Sequence, residues 1–99
     1  MLKITNKNEL DKIPFPDLKA YISAKVQNWT DEYQITDFDE IGCFVILDTY
    51  EKELFNESEM EFTETLNLKN ETYLHGVKIL GDCYGEDIYL SLKGENNDV

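Results

Sequence analysis

The chain has 99 residues, with 21 acidic side chains against nine lysines and no arginine, so its formal charge is −12. That charge argues against direct binding of bare DNA or RNA, where clustered Lys and Arg must meet phosphates, and against attraction to anionic membrane surfaces. Hydrophobic residues make up 41 %, including six Tyr, five Phe and one Trp, which is enough to build a core and excludes disorder throughout.

The segment Met1–Lys7 is not followed by a long apolar run, so no signal-peptide core and no transmembrane segment is expected. The expected compartment is the cytoplasm, with Cys43 and Cys83 as reduced thiols. Leu2 to Thr5 fits a short edge strand. Pro14-Phe15-Pro16 punctuates the chain, and Pro16 suits a first helical position because its missing N–H would have no partner there. Asp17 then lies in the first turn, where the helix dipole favours an anion. Leu18, Tyr21, Ile22, Val26, Trp29 and Tyr33 recur at three- and four-residue steps and predict an amphipathic helix over residues 16–34. Lys19, Lys25, Gln27 and Asn28 fall mostly on its other faces.

Residues 41–47 form a continuous apolar run that predicts a strand covered on both faces and continuing to Tyr50. Met60, Phe62, Leu66 and Leu68 share one parity, with polar residues on the other, as in a half-buried strand. Lys69-Asn70-Glu71 reads as a hairpin turn. A strand follows over 72–80, with Gly76 as a candidate bulge. Gly81 to Asp87 is turn-like, and Ile88, Leu90 and Leu92 alternate with Tyr89 and Ser91 in a last strand. The fold class is therefore α+β: one long amphipathic helix packed on a mainly antiparallel sheet of about four strands, as a meander. Residues 1–99 make a single domain, with 94–99 as a frayed tail. The sheet face away from the helix is expected to be wet or to bind a partner.

The charge is local. Residues 31–64 hold twelve acidic side chains against Lys52 alone, while the rest of the chain carries nine acids and eight lysines. Asp31 and Glu32 sit at the helix C-terminus, where the dipole disfavours anions. Glu57, Glu59 and Glu61 share a parity; if extended, they would be spaced by about 6.6–6.8 Å, roughly twice the 3.4 Å rise per phosphate of a DNA strand. The competing reading of this stretch is a solvated acidic face.

No enzyme is expected. His75, the single histidine, lies on a strand parity with Tyr73, Val77 and Ile79 and reads as structural rather than as a general base. Cys43 is embedded in an apolar strand and Cys83 has acidic neighbours, so neither suits a nucleophile. No hydrolase, metalloprotease or phosphate-loop motif occurs. Asp82, Glu86 and Asp87 could meet a hard cation but lack EF-hand spacing and read as an ordinary acidic turn, so no metal or cofactor is expected. The functional expectation is a small acidic binding protein that engages a basic surface of a partner protein. In its most concrete form it is an immunity protein or a DNA-mimicking phage antagonist of a nuclease or nucleic-acid-binding protein. The candidate contacts are Asp37, Asp39, Glu40, Glu51, Glu53, Glu57, Glu59 and Glu61, with Tyr50 and Phe55 as anchors. The alternative is a structural or regulatory subunit docking through an open sheet face, with charge serving only solubility.

Overall fold

A computed structural model describes residues 1–35, 38, 42–80 and 84–92. β1 (Leu2–Ile4), α1 (Pro16–Tyr33), β2 (Cys43–Leu47), β3 (Phe62–Asn67), β4 (Thr72–Leu80) and β5 (Tyr84–Ser91) follow in chain order, with 3₁₀ turns at Lys7–Lys12 and Glu57–Glu59. The class is α+β, and β1 raises the strand count to five. The sheet order is β1-β2-β5-β4-β3. β2 and β5 run parallel, from Cys43 opposite Glu86 to Leu47 opposite Leu90, and all other neighbours are antiparallel. This corrects the expected meander. Phe44–Leu47 of β2 and Asp87–Leu90 of β5 are buried on both faces, and pairing them inside the sheet covers both at once.

Helix α1 buries Leu18, Ile22 and Val26, with Tyr21 and Trp29 packed at their rim. Tyr33, expected on the same stripe, is exposed and ends the helix. The helix ends at Gln34 in the left-handed conformation, φ 55°, a common way to stop a helix. Its start is capped from elsewhere. Phe15 supplies no side-chain cap; instead the Glu71 carboxylate accepts hydrogen bonds from Asp17 N and Leu18 N, both at 3.0 Å, and from the Tyr73 hydroxyl at 2.9 Å. Asp17 returns the contact by accepting from Asn70 N at 2.7 Å. The predicted turn before β4 is thereby fastened to the first turn of α1, two anionic side chains meeting backbone N–H groups.

Two cores flank the sheet, as strand alternation requires. On the helix side, Phe44, Ile46, Tyr73 and Tyr89 pack with Ile4, Leu10, Ile13 and the α1 stripe. On the other side, Val45, Leu47, Ile88 and Leu90 pack around Phe55, with Leu54, Met60 and Leu74 alongside. The second face is therefore not open. The connection 48–61 must cross from β2 over β5 and β4 to reach β3, and Phe55 pins it there. For the same reason β2 stops at Leu47, with Asp48–Tyr50 exposed, rather than running on to Tyr50. Gly76 is not a bulge: it pairs with Thr63 on one side and Ile88 on the other. A Cβ there would stand 3.1 Å from both Phe55 Cε2 and Met60 Sδ, so the glycine admits the crossing arm. Nor is β3 half-buried. Phe62 to Thr65 are exposed and Leu66 is only partly covered, because β3 lies at the end of the sheet. The expected frayed tail and Cys83 lie outside the described residues.

Candidate functional site

The acidic arm 48–61 carries six carboxylates, those of Asp48, Glu51, Glu53, Glu57, Glu59 and Glu61, against Lys52. All seven residues are exposed. The arm is nonetheless fixed. Leu54 N and Phe55 N donate to Glu51 O at 3.0 and 2.8 Å, and Asn56 caps the 3₁₀ turn through Ser58 N at 3.1 Å. At the far end Glu61 N donates to Val77 O at 2.8 Å. Lys78, 3.7 Å from Glu59, is the counter-ion of this group among the described residues.

Tyr50, at 62 % exposure, is available as a surface contact. Phe55, at 1 %, is not: it fills the second core, which corrects its reading as an anchor. Glu57 and Glu59 belong to a 3₁₀ turn, so the evenly spaced extended row expected of Glu57, Glu59 and Glu61 does not form; the turn is where the arm bends to enter β3. Asp37, Asp39 and Glu40 lie outside the described residues, though Phe38 between them packs edge-on against Phe44 with ring centroids 6.1 Å apart. Asp31 and Glu32 are exposed at the end of α1, whose last turn holds no basic residue.

A second charged group lies on the helix side, where sequence reading saw only a structural histidine. His75 is 1 % exposed. Its Nε2 is 2.8 Å from Asp87 Oδ1 on β5, and its Nδ1 is 3.0 Å from Glu64 Oε2 on β3. Lys25 Nζ reaches the same Asp87 oxygen at 3.4 Å and lies 5.1 Å from the Trp29 ring centroid. The His75 ring stacks on Tyr89 at 4.5 Å and meets Phe62 edge-on at 5.9 Å. The cluster thus joins three strands and the helix. Strand pairing places these groups: His75 lies opposite both Glu64 and Tyr89. Buried charges need such partners, because an unpaired one is strongly unfavourable. The signal available in the sequence was parity: Glu64 interrupts the apolar side of β3 where a polar partner for His75 is needed.

Cys43 is not primed as a nucleophile. Burial, the Glu86 charge and the Cys43 Sγ–Glu86 Oε2 contact at 3.5 Å push the Cys43 thiol up to about 11, which suppresses the reactive thiolate. Burial foremost, then nearby carboxylates, also raises Tyr21, Tyr73 and Tyr89, with a hydrogen bond to Glu71 contributing at Tyr73. The imagined cation turn is not assembled by Glu86 and Asp87, which are successive strand residues facing opposite sides of the sheet; Asp82 lies outside the described residues. Among the described residues no group of three or more His, Cys, Asp or Glu is arranged to hold a metal ion, and no helix is long and apolar enough to cross a membrane. Compared with known proteins, the chain matches no family model, no curated protein and no solved structure.

Proposed function

We propose that this is a non-enzymatic binding protein that engages a basic surface of a partner protein through the acidic arm 48–61. The observation that carries the reading is an arm with six exposed carboxylates, held against the sheet by a buried Phe55. Carboxylates on a fixed backbone lose less freedom on binding than those of a floppy loop, and a one-signed patch speeds encounter with an oppositely charged surface. Glu51, Glu53, Glu57, Glu59 and Glu61 are the contact charges, and Tyr50 the aromatic contact beside them. The finer form of the proposal is an inhibitor that occupies a nuclease or nucleic-acid-binding site, as an immunity protein or a DNA-mimicking phage antagonist does. A basic cleft built for phosphates presents the lysines and arginines that such an arm would meet. Docking through an open sheet face draws no support from the fold, since Phe55, Leu54 and Met60 occupy that face.

The test is capture of a partner from host extract on immobilised protein, washed over a range of salt. A salt-labile partner that is itself basic is expected, and it should be lost when Glu51, Glu53 and Glu57 are changed together to Lys. Capture that ignores both salt and these substitutions would refute the reading.

A further inference from the structure

β3 closes one end of the sheet, so its outer edge is unpaired among the described residues. The ladder fixes which groups face outward. Leu68 N donates to Glu71 O at 2.8 Å, and antiparallel pairs alternate between bonded and non-bonded positions. The main-chain groups of Glu64 and Leu66 therefore point to β4, and those of Thr63, Thr65 and Asn67 point away from the sheet. An exposed row of this kind is a template for another strand. The opposite edge, β1, is only three residues long, against six for β3.

The side chains along the edge say what kind of strand fits. On the helix side the row reads Phe62, Glu64, Leu66. Phe62 is 50 % exposed and the Glu64 side chain likewise 50 %. On the other side it reads Thr63, Thr65, Asn67, all exposed, while Glu61, just before the strand, donates its N–H inward to Val77 O. Side chains directly across a ladder form the stabilising pairs. The complementary strand is apolar, basic, apolar on its helix-side face. A second copy of this chain is not complementary: with Thr63 set against Thr65 the two Glu64 side chains stand directly opposite, which is destabilising, and with Thr65 set against Thr65 each Glu64 meets Leu66 and no cation.

We propose that the β3 edge, with its row Phe62, Glu64 and Leu66, accepts an extended basic segment of the partner protein as a sixth strand. This rests on the reading of a basic partner and adds how that partner is held.

The probe is a synthetic heptapeptide with valine, lysine and valine at alternate positions and threonine between and around them, so that one face runs apolar, basic, apolar; it is titrated into the labelled protein and followed by backbone amide shifts. Saturable shifts are expected at Thr63, Thr65 and Asn67, whose amide protons should also become protected from solvent exchange. Thr65→Pro removes only an outward N–H, which an edge strand tolerates, and should weaken binding at least tenfold. Should that variant fail to fold, peptides N-methylated on alternate amides put the same question to the unaltered protein. Methylation in one phase should abolish binding, and in the other phase leave it intact. The inference is overturned if both methylated peptides bind alike, if Thr65→Pro binds as the parent does, or if the peptide with glutamate in place of its lysine binds equally well. Shifts confined to residues 51–59, with binding lost in the arm variants, would overturn the strand addition while leaving the basic-partner reading standing. Strand addition of the peptide, together with capture from extract that ignores both salt and the arm substitutions, would mark the reverse failure.

Discussion

Replacing Glu71 by alanine should release the start of α1 from the turn before β4. One carboxylate receives three hydrogen bonds, from two helix N–H groups and from a hydroxyl on a buried tyrosine. Loss of a helix cap costs ~1 kcal/mol, and loss of an anion at the positive end of the dipole ~0.5 kcal/mol. The Tyr73 hydroxyl, left without its acceptor, adds ~1–3 kcal/mol. The three share one side chain and are not strictly additive, so a total of ~3 kcal/mol is expected. In a domain of 99 residues that lowers Tm by ~12–24 °C. Glu71→Gln keeps an acceptor oxygen and loses the charge, so roughly half the effect should remain. Urea unfolding followed by far-UV circular dichroism measures each variant. A double-mutant cycle with Tyr73→Phe then isolates the shared hydrogen bond, with an expected coupling of ~1 kcal/mol. A loss below ~0.5 kcal/mol in Glu71→Ala, the range of an unremarkable surface change, would refute the capping argument. So would a Tyr73→Phe cost that is the same with and without Glu71.

Other expectations follow from the same contacts. His75→Leu removes the imidazole bonded to Asp87, leaving Lys25 as the partner of that buried carboxylate among the described residues, and should destabilise by ~3–5 kcal/mol, much of it recovered when Asp87→Leu is added; equal stability of the single and double variants would refute the pairing. Gly76→Ala presses a methyl against Phe55 and Met60 and should cost ~1–3 kcal/mol, with protease cleavage appearing within 48–59 as the readout of a loosened arm. The Tyr89 hydroxyl is buried with no hydrogen-bond partner among the described residues, so Tyr89→Phe should be neutral or stabilising, in contrast to Tyr73→Phe, and thermal melts of the pair decide it. Tyr73 and Tyr89 hold their protons above the ordinary phenol value of 10.0. The unfolded chain therefore loses protons first, and stability should be intact below pH 10 and fall as pH rises beyond it. Alkaline titration of tyrosinate absorbance should show these two ionising together with unfolding rather than before it.

What the sequence made legible was local. The three- and four-residue steps and Pro16 set the helix at Pro16–Tyr33 against an expected 16–34, and β4 spans Thr72–Leu80 as read. The 3₁₀ turn at Lys7–Lys12 had a usable signal in Asn6 and Glu9: Asn6, the N-cap, accepts from Glu9 N at 3.2 Å, and Glu9 reaches back one residue further to accept from Thr5 N at 2.9 Å, a capping box displaced by one residue. The insertion of β5 beside β2 had no local signal, since strand order is decided by which faces must be covered. Phe55 was misplaced for a related reason. A lone aromatic in an acidic stretch looks like an exposed anchor until the crossing arm is known to lie over a sheet face. Glu71 was likewise silent, because the helix it caps begins more than fifty residues earlier.

The parallel β2–β5 pair also sets the sequence of events by which the fold is reached. β3, β4 and β5 are joined by short connections and pair with their chain neighbours, so they assemble from local contacts. β2 pairs with β5 forty-three residues further on, and closing that distance is slow compared with zipping a hairpin. While the chain is being synthesised, β1, α1 and β2 must wait for residues up to Ser91 before the sheet can be joined. During that interval the apolar run of β2 is uncovered on one edge, which makes the unfinished chain, rather than the finished protein, the species most exposed to aggregation.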